Sequence, residues 1–142
     1  AATFLAMAGL NRLGMAHVAR SAIEVEEMLP AVAQGAIGIE RRANDARAEG
    51  LLAAIHDRLT GERLAAERAF LAALDGSCQT PIAGLAVHEG AALYLRGEIL
   101  RPDGSDVIRG ERRASVTDAT DAGRDLAREL LAQAPAGFFD WR

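Results

Sequence analysis

Cys78 is the only cysteine in the chain, and it sits in Gly76-Ser77-Cys78-Gln79-Thr80-Pro81, where an alanine-rich helical pattern gives way to an apolar strand pattern. A lone cysteine makes no internal disulfide, and the scattered His17, His56 and His88 add no zinc-ligand spacing to it. Three roles remain open: a small inert core residue, a nucleophile, or an attachment point. Cys78 follows a predicted helix C-terminus, the negative end of the dipole, and no histidine lies within nine residues of it, so nothing local favours a standing thiolate. A sulfur that captures an electrophile once and then stays capped as a thioether needs no lowered pKa. Redox sensing lacks a resolving cysteine.

Around this thiol the sequence predicts an α-β-β-β-α unit over residues 60 to 134. Thr60 is the expected cap of a helix running to about Leu74, with Ala65, Ala66, Ala69, Ala72 and Ala73 on one face and Leu64, Phe70, Leu71 and Leu74 on the other. Arg63, Glu67 and Arg68 fall among the leucines. The alanine face would let another element pack closely, and a carboxylate buried at Glu67 calls for an arginine partner, with Arg63 one turn away. Arg68 reads either as a member of a structural ion pair with Glu67 or Asp75, or as the border of a polar cleft beside Cys78.

Residues 82 to 87, 91 to 100 and 106 to 114 read as three strands joined by His88-Glu89-Gly90 and by the Pro102-Asp103-Gly104 turn, which favours consecutive antiparallel pairing. Leu93, Leu95 and Ile99 alternate with Tyr94, Arg96 and Glu98, one core face and one wetter face. A last helix is expected from Thr117 or Asp118, with Ala119, Ala122, Leu126 and Leu130 inward. The fold class is therefore α+β, a three-stranded antiparallel sheet covered by helices on one face.

The residues before this unit read as helical and extended pieces. Helix one is expected over residues 3 to 13 with Gly14 as its cap, a short exposed strand is one reading of 16 to 27, and 29 to 39 read as an extended segment that something approaches closely. Asn44 is the expected cap of a helix through about Arg58. Phe138, Phe139 and Trp141, half of the six aromatics, either tuck back onto the core or mark a contact surface.

At 142 residues, half of them hydrophobic, the chain can hold one ordinary domain plus a piece of another. Its formal charge of -4 argues against nonspecific nucleic-acid binding, although all its basic side chains are arginine, which suits bidentate carboxylate binding. With no apolar run near the ~20 residues that span a bilayer, and no signal-peptide pattern, a soluble cytoplasmic protein without membrane partners is expected. The start at Ala1-Ala2-Thr3-Phe4, inside a helical pattern, suggests an excised piece of a longer protein.

Several stretches, taken in order and spacing, resemble the C-terminal part of the porphobilinogen deaminase (hydroxymethylbilane synthase) family. They are Met28-Leu29-Pro30-Ala31-Val32-Ala33-Gln34-Gly35-Ala36, Ala66-Glu67-Arg68-Ala69-Phe70 and Asp75-Gly76-Ser77-Cys78-Gln79-Thr80-Pro81-Ile82, supported by residues 8 to 14, 93 to 97 and 102 to 105. The resemblance covers nearly the whole chain. It implies that Cys78 carries a dipyrromethane cofactor through a thioether. That cofactor primes the assembly of four porphobilinogen molecules into hydroxymethylbilane, a transferase reaction of heme and chlorophyll biosynthesis.

By the same resemblance Arg68 lies close to the cofactor loop and clamps pyrrole carboxylates, and Gln34-Gly35 belongs to a Gly-Gln-Gly hinge that touches pyrrole rings. Ala33 and Ser77 stand where the family has glycines, which puts loop geometry in question because a side chain resists positive φ. None of Asp45, Asp57, Asp75, Asp103 or Asp118 sits in the motif of the family's catalytic aspartate, so the piece alone is expected to be catalytically silent. The implied division is the tail of domain two at 1 to 28, the hinge strand and helix of domain one at 29 to 58, and a C-terminal cofactor-attachment domain at 59 to 142. The parent is expected to be a monomer; surface left bare in the piece would favour self-association. The competing reading is a small α+β ligand-binding or interaction module whose cysteine is merely buried.

Overall fold

In a computed structural model the described residues are 2 to 75 and 80 to 139. Three strands, β1 (Ile82–Glu89), β2 (Ala92–Leu100) and β3 (Val107–Ser115), form one antiparallel sheet in the order β1-β2-β3. The register aligns Gly84 with Gly97 and Gly97 with Gly110, so a row of glycines crosses the sheet. That row leaves a trough on one face. A Cβ at Gly97 would lie 2.5 Å from the Phe70 ring, and one at Gly110 would lie 2.8 Å from Leu126 and Leu130. Large side chains from the covering helices fill the space that β-carbons would occupy, which brings helix and sheet close together.

The covering helices are α3 (Arg58–Ala73) and α4 (Ala119–Gln133), with α4 entered through a 3-10 turn at Val116–Asp118. Asp57, rather than Thr60, caps α3: its carboxylate accepts the Thr60 N–H three residues on, at 2.6 Å, and this places Thr60 inside the first turn. The alanine face behaves as expected. Gly123 of α4 packs so tightly against it that a β-carbon there would fall 2.2 Å from the Ala66 carbonyl oxygen. The inward set of α4 is Ala119, Gly123, Leu126, Ala127 and Leu130, with Ala122 half-buried.

Phe70, Leu74, Leu93, Leu95, Ile99, Leu126 and Leu130 make up most of the core, and Phe138 folds back to join them. Phe139 meets Phe138 edge to face with ring centroids 5.0 Å apart, so this part of the C-terminal aromatic cluster serves packing. Trp141 lies outside the described residues. On the far face of the sheet Glu98 is buried against Arg109 at 2.8 Å, and Tyr94, Arg96, Glu111 and Arg113 continue a charged ladder.

Residues 2 to 57 are built differently. Helix α1 covers Met7–Arg12, shorter than the expected 3 to 13, and Gly14 follows it at φ +67°. A 3-10 turn takes Ala16–Val18 and no strand forms over 16 to 27; alternation there has no neighbouring strand to pair with. Helix α2 covers Ala46–Ala53 and is capped by Asp45, whose carboxylate accepts the Ala48 N–H at 2.9 Å, not by Asn44. No helix among the described residues is long and apolar enough to cross a membrane.

Candidate functional site

The segment expected to carry Gln34 and Gly35 crosses the open edge of β1. Edge strands present unpaired N–H groups. Here two of those of β1 are taken: Gly84 donates to the Pro30 carbonyl at 3.0 Å beside an Ala31–Ala83 bridge, and Ala86 donates to Glu67 Oε1 at 2.8 Å. Past Ala31 the chain turns sharply through Ala33 at φ +62° and Gly35 at φ +81°. Gly35 adopts this conformation freely, whereas in Ala33 the β-carbon makes it costly by ~1–2 kcal/mol.

Glu67 corrects an expectation. Its carboxylate is buried, but its partners are backbone amides rather than Arg63: Oε1 accepts from Ala86 and Oε2 from Ala33, each at 2.8 Å. Arg63 instead donates to the Thr60 hydroxyl at 3.0 Å. Two charge-assisted bonds, of ~1.5–3 kcal/mol each, replace the solvation that a buried carboxylate gives up. The sequence did carry a signal for this, an acidic residue in the middle of an apolar arc, but the choice of amides over guanidinium depended on where the turn crosses the sheet edge.

Between the turn and α3 lies a cavity of about 200 Å³, lined by Gln34, Gly35, Thr60, Arg63, Leu64 and Leu85 among others. Gln34 is exposed on its rim. The lining combines a guanidinium, a carboxamide and a hydroxyl with two leucines and the Glu67 carboxylate, whose two oxygens are both taken by backbone amides. That donor set suits a flat ring bearing carboxylates: the arginine fork pairs with carboxylate, the carboxamide oxygen accepts from a ring N–H, and the leucines take the ring face.

Arg68 lies elsewhere. It is exposed on the alanine side of α3, not on the leucine arc, and borders a groove of about 510 Å³ with Ala65, Ala69, Ala72, Arg124 and Arg128. The helical step of 100° per residue explains the correction, since it turns Arg68 away from the buried Phe70, Glu67 and Leu74. Arg124 and Arg128 pair with Asp121 and Asp125 at 3.0 and 2.9 Å. No ion pair engages Arg68 among the described residues. The structure thus brings Gln34 and Gly35 together with Arg63, and leaves Arg68 on a separate groove. Cys78 falls outside the described residues, as do its neighbours Gly76, Ser77 and Gln79. No cluster of three or more potential metal-ligating side chains occurs among the described residues.

The α-β-β-β-α unit against which the turn lies matches a known domain. Residues 62–132, half of the chain, match the model for the porphobilinogen deaminase C-terminal domain. The chain belongs to the porphobilinogen deaminase family. Residues 1–50 match that family's dipyromethane cofactor binding domain, so Gln34 and Gly35 lie in one matched stretch and Cys78 in the other. A porphobilinogen deaminase from Paracoccus denitrificans (strain Pd 1222) is 69% identical over 140 residues. That alignment takes in 99% of this chain and 45% of the relative, so the chain spans less than half the length of the curated porphobilinogen deaminase it matches. Membership in the family sets aside the reading of an unrelated small module.

Proposed function

We propose that this chain is the C-terminal portion of an enzyme that joins four porphobilinogen molecules into hydroxymethylbilane, a transferase step of tetrapyrrole biosynthesis in the cytoplasm. The observation that carries this is the match of both stretches, 1–50 and 62–132, to porphobilinogen deaminase domains. Residues 1 to 28 belong to the end of a second domain in this reading, 29 to 58 to a hinge and helix of the first, and 59 to 142 to a domain that tethers the cofactor.

Dipyrromethane, when bound, supplies the primer on which the product is assembled. Cys78 holds it through a thioether. The sulfur would add to the methylene carbon that porphobilinogen exposes once ammonia has left with the ring N–H proton, and the thiol proton would restore that ring N–H. Gln34 and Gly35 meet a pyrrole ring at the hinge, the glutamine by hydrogen bonding and the glycine by allowing close approach. The lining of the 200 Å³ cavity fits one such ring. Arg68, unpaired among the described residues, binds carboxylates of the growing chain as they pass the second groove. The parent enzyme works as a monomer in this reading, and catalytic proton transfer falls to groups outside these residues.

Replacement of Cys78 by serine in the full-length protein tests the assignment. The expected variant carries no dipyrromethane and forms no hydroxymethylbilane. A variant that keeps its cofactor and turns over would contradict it.

A further inference from the structure

Glu67 is a buried acid that none of this chemistry uses. It is 5% exposed, and its two oxygens accept from amides in two separate stretches of chain, Ala86 in β1 and Ala33 in the turn. Ala33 directly precedes Gln34 and sits in the left-handed region at φ +62°, a conformation it would leave if free to do so. The turn closes on itself through Gln34 N–H to the Ala31 carbonyl at 3.1 Å and Ala36 N–H to the Ala33 carbonyl at 3.2 Å. Neither bond ties it to the sheet. Beyond Ala31, the hydrogen bond among the described residues that reaches out of the turn runs from Ala33 to Glu67 of α3, whose other oxygen holds Ala86 of β1.

The geometry points to Glu67 as the positioning residue of the Gln34-Gly35 turn, a two-amide clasp that sets how Gln34 stands over the Arg63 cavity and so how it meets an acidic pyrrole. The inference rests on the proposed role of Gln34. Both oxygens are needed. A glutamine would offer an NH2 donor to one of the two N–H groups, and an aspartate is one methylene too short to reach both. Ala86 is also held by the pairing of β1 with β2, whereas Ala33 has no such support, so the turn is the side that gives way.

The test uses the full-length enzyme with Glu67→Gln and Gln34→Ala, singly and together, and Ile108→Val as a variant that loosens the core without touching the clasp. Amide hydrogen exchange and steady-state kinetics with porphobilinogen are measured for each. Glu67→Gln is expected to speed exchange at Ala33 by about tenfold or more, and at Ala86 by less, when the clasp opens. The KM for porphobilinogen is expected to rise several-fold with a smaller change in kcat. In the Gln34→Ala background Glu67→Gln should raise KM no further, because it acts through Gln34. Ile108→Val should lower stability yet leave Ala33 exchange and KM unchanged.

Unchanged exchange at Ala33 in folded Glu67→Gln protein would overturn the inference. So would a full additional KM effect on top of an impaired Gln34→Ala enzyme, and that result would leave the role of Gln34 standing. A Gln34→Ala enzyme with normal KM would remove Gln34 from the site and overturn both. If Glu67→Gln does not fold, Glu67→Asp carries the same expectations.

Discussion

Residues 58 to 139 are no richer in hydrophobic residues than residues 2 to 57, yet the two pack in opposite ways. The first region closes a core around Phe70, Leu126 and Leu130, all 0% exposed. In the second, Leu10 is the buried large hydrophobic among the described residues, while Ile37 at 92% and Leu51 at 66% face outward. Hydrophobic content therefore does not tell the two apart; the difference lies in whether periodic elements find partners. The second region takes its place on the first largely through backbone groups at the edge of β1, with Val32 packing against the core. The proposed ring-binding turn lies at that seam. A turn held by a few hydrogen bonds can be positioned by one side chain, as Glu67 does, in a way that a packed strand cannot.

Truncation separates the two regions most sharply. Phe70→Ala empties the glycine trough and should cost about 3–5 kcal/mol, whereas Leu51→Ala should stay within about 0.5 kcal/mol. Urea denaturation of the 142-residue chain reads both. Equal losses would mean that the outer region has a core of its own. At the seam, Ala33→Gly relieves the left-handed strain and should raise the unfolding free energy by at most ~1 kcal/mol, part of the gain being offset by the freer unfolded chain. A lowered midpoint would show that the methyl group, rather than the backbone conformation, matters at that turn.

The smallest effect concerns the cap where the two regions meet. The Thr60 amide holds the Asp57 carboxyl below its ordinary value. A lowered folded-state pKa gives stability that is present above the unfolded value and is lost as pH falls through the folded one. The parent chain should therefore lose this increment in the acid range below about pH 4. Asp57→Asn, which still caps, should show a shallower decline. Identical acid profiles would remove the carboxylate from the account.

Alternation placed the three strands to within about two residues because each has one face on a core, and period two survives only where burial enforces it. The glycine row was not legible: its function depends on register, which brings positions 84, 97 and 110 together from three separate strands. Caps were misplaced by one residue at α2 and by three at α3, since Asn44, Asp45, Asp57 and Thr60 are all competent and only the local backbone chooses. In the site, Gln34 and Gly35 stood out by resemblance, and Glu67 by its polarity. Their connection through the Ala33 amide could not be read, because it depends on which edge of the sheet the chain crosses.

Mass spectrometry of the full-length protein, with the peptide containing Cys78 mapped, tests the central claim most directly. The account predicts an adduct on Cys78 equal to two porphobilinogens less two ammonias. An active enzyme whose Cys78 peptide is unmodified would contradict it.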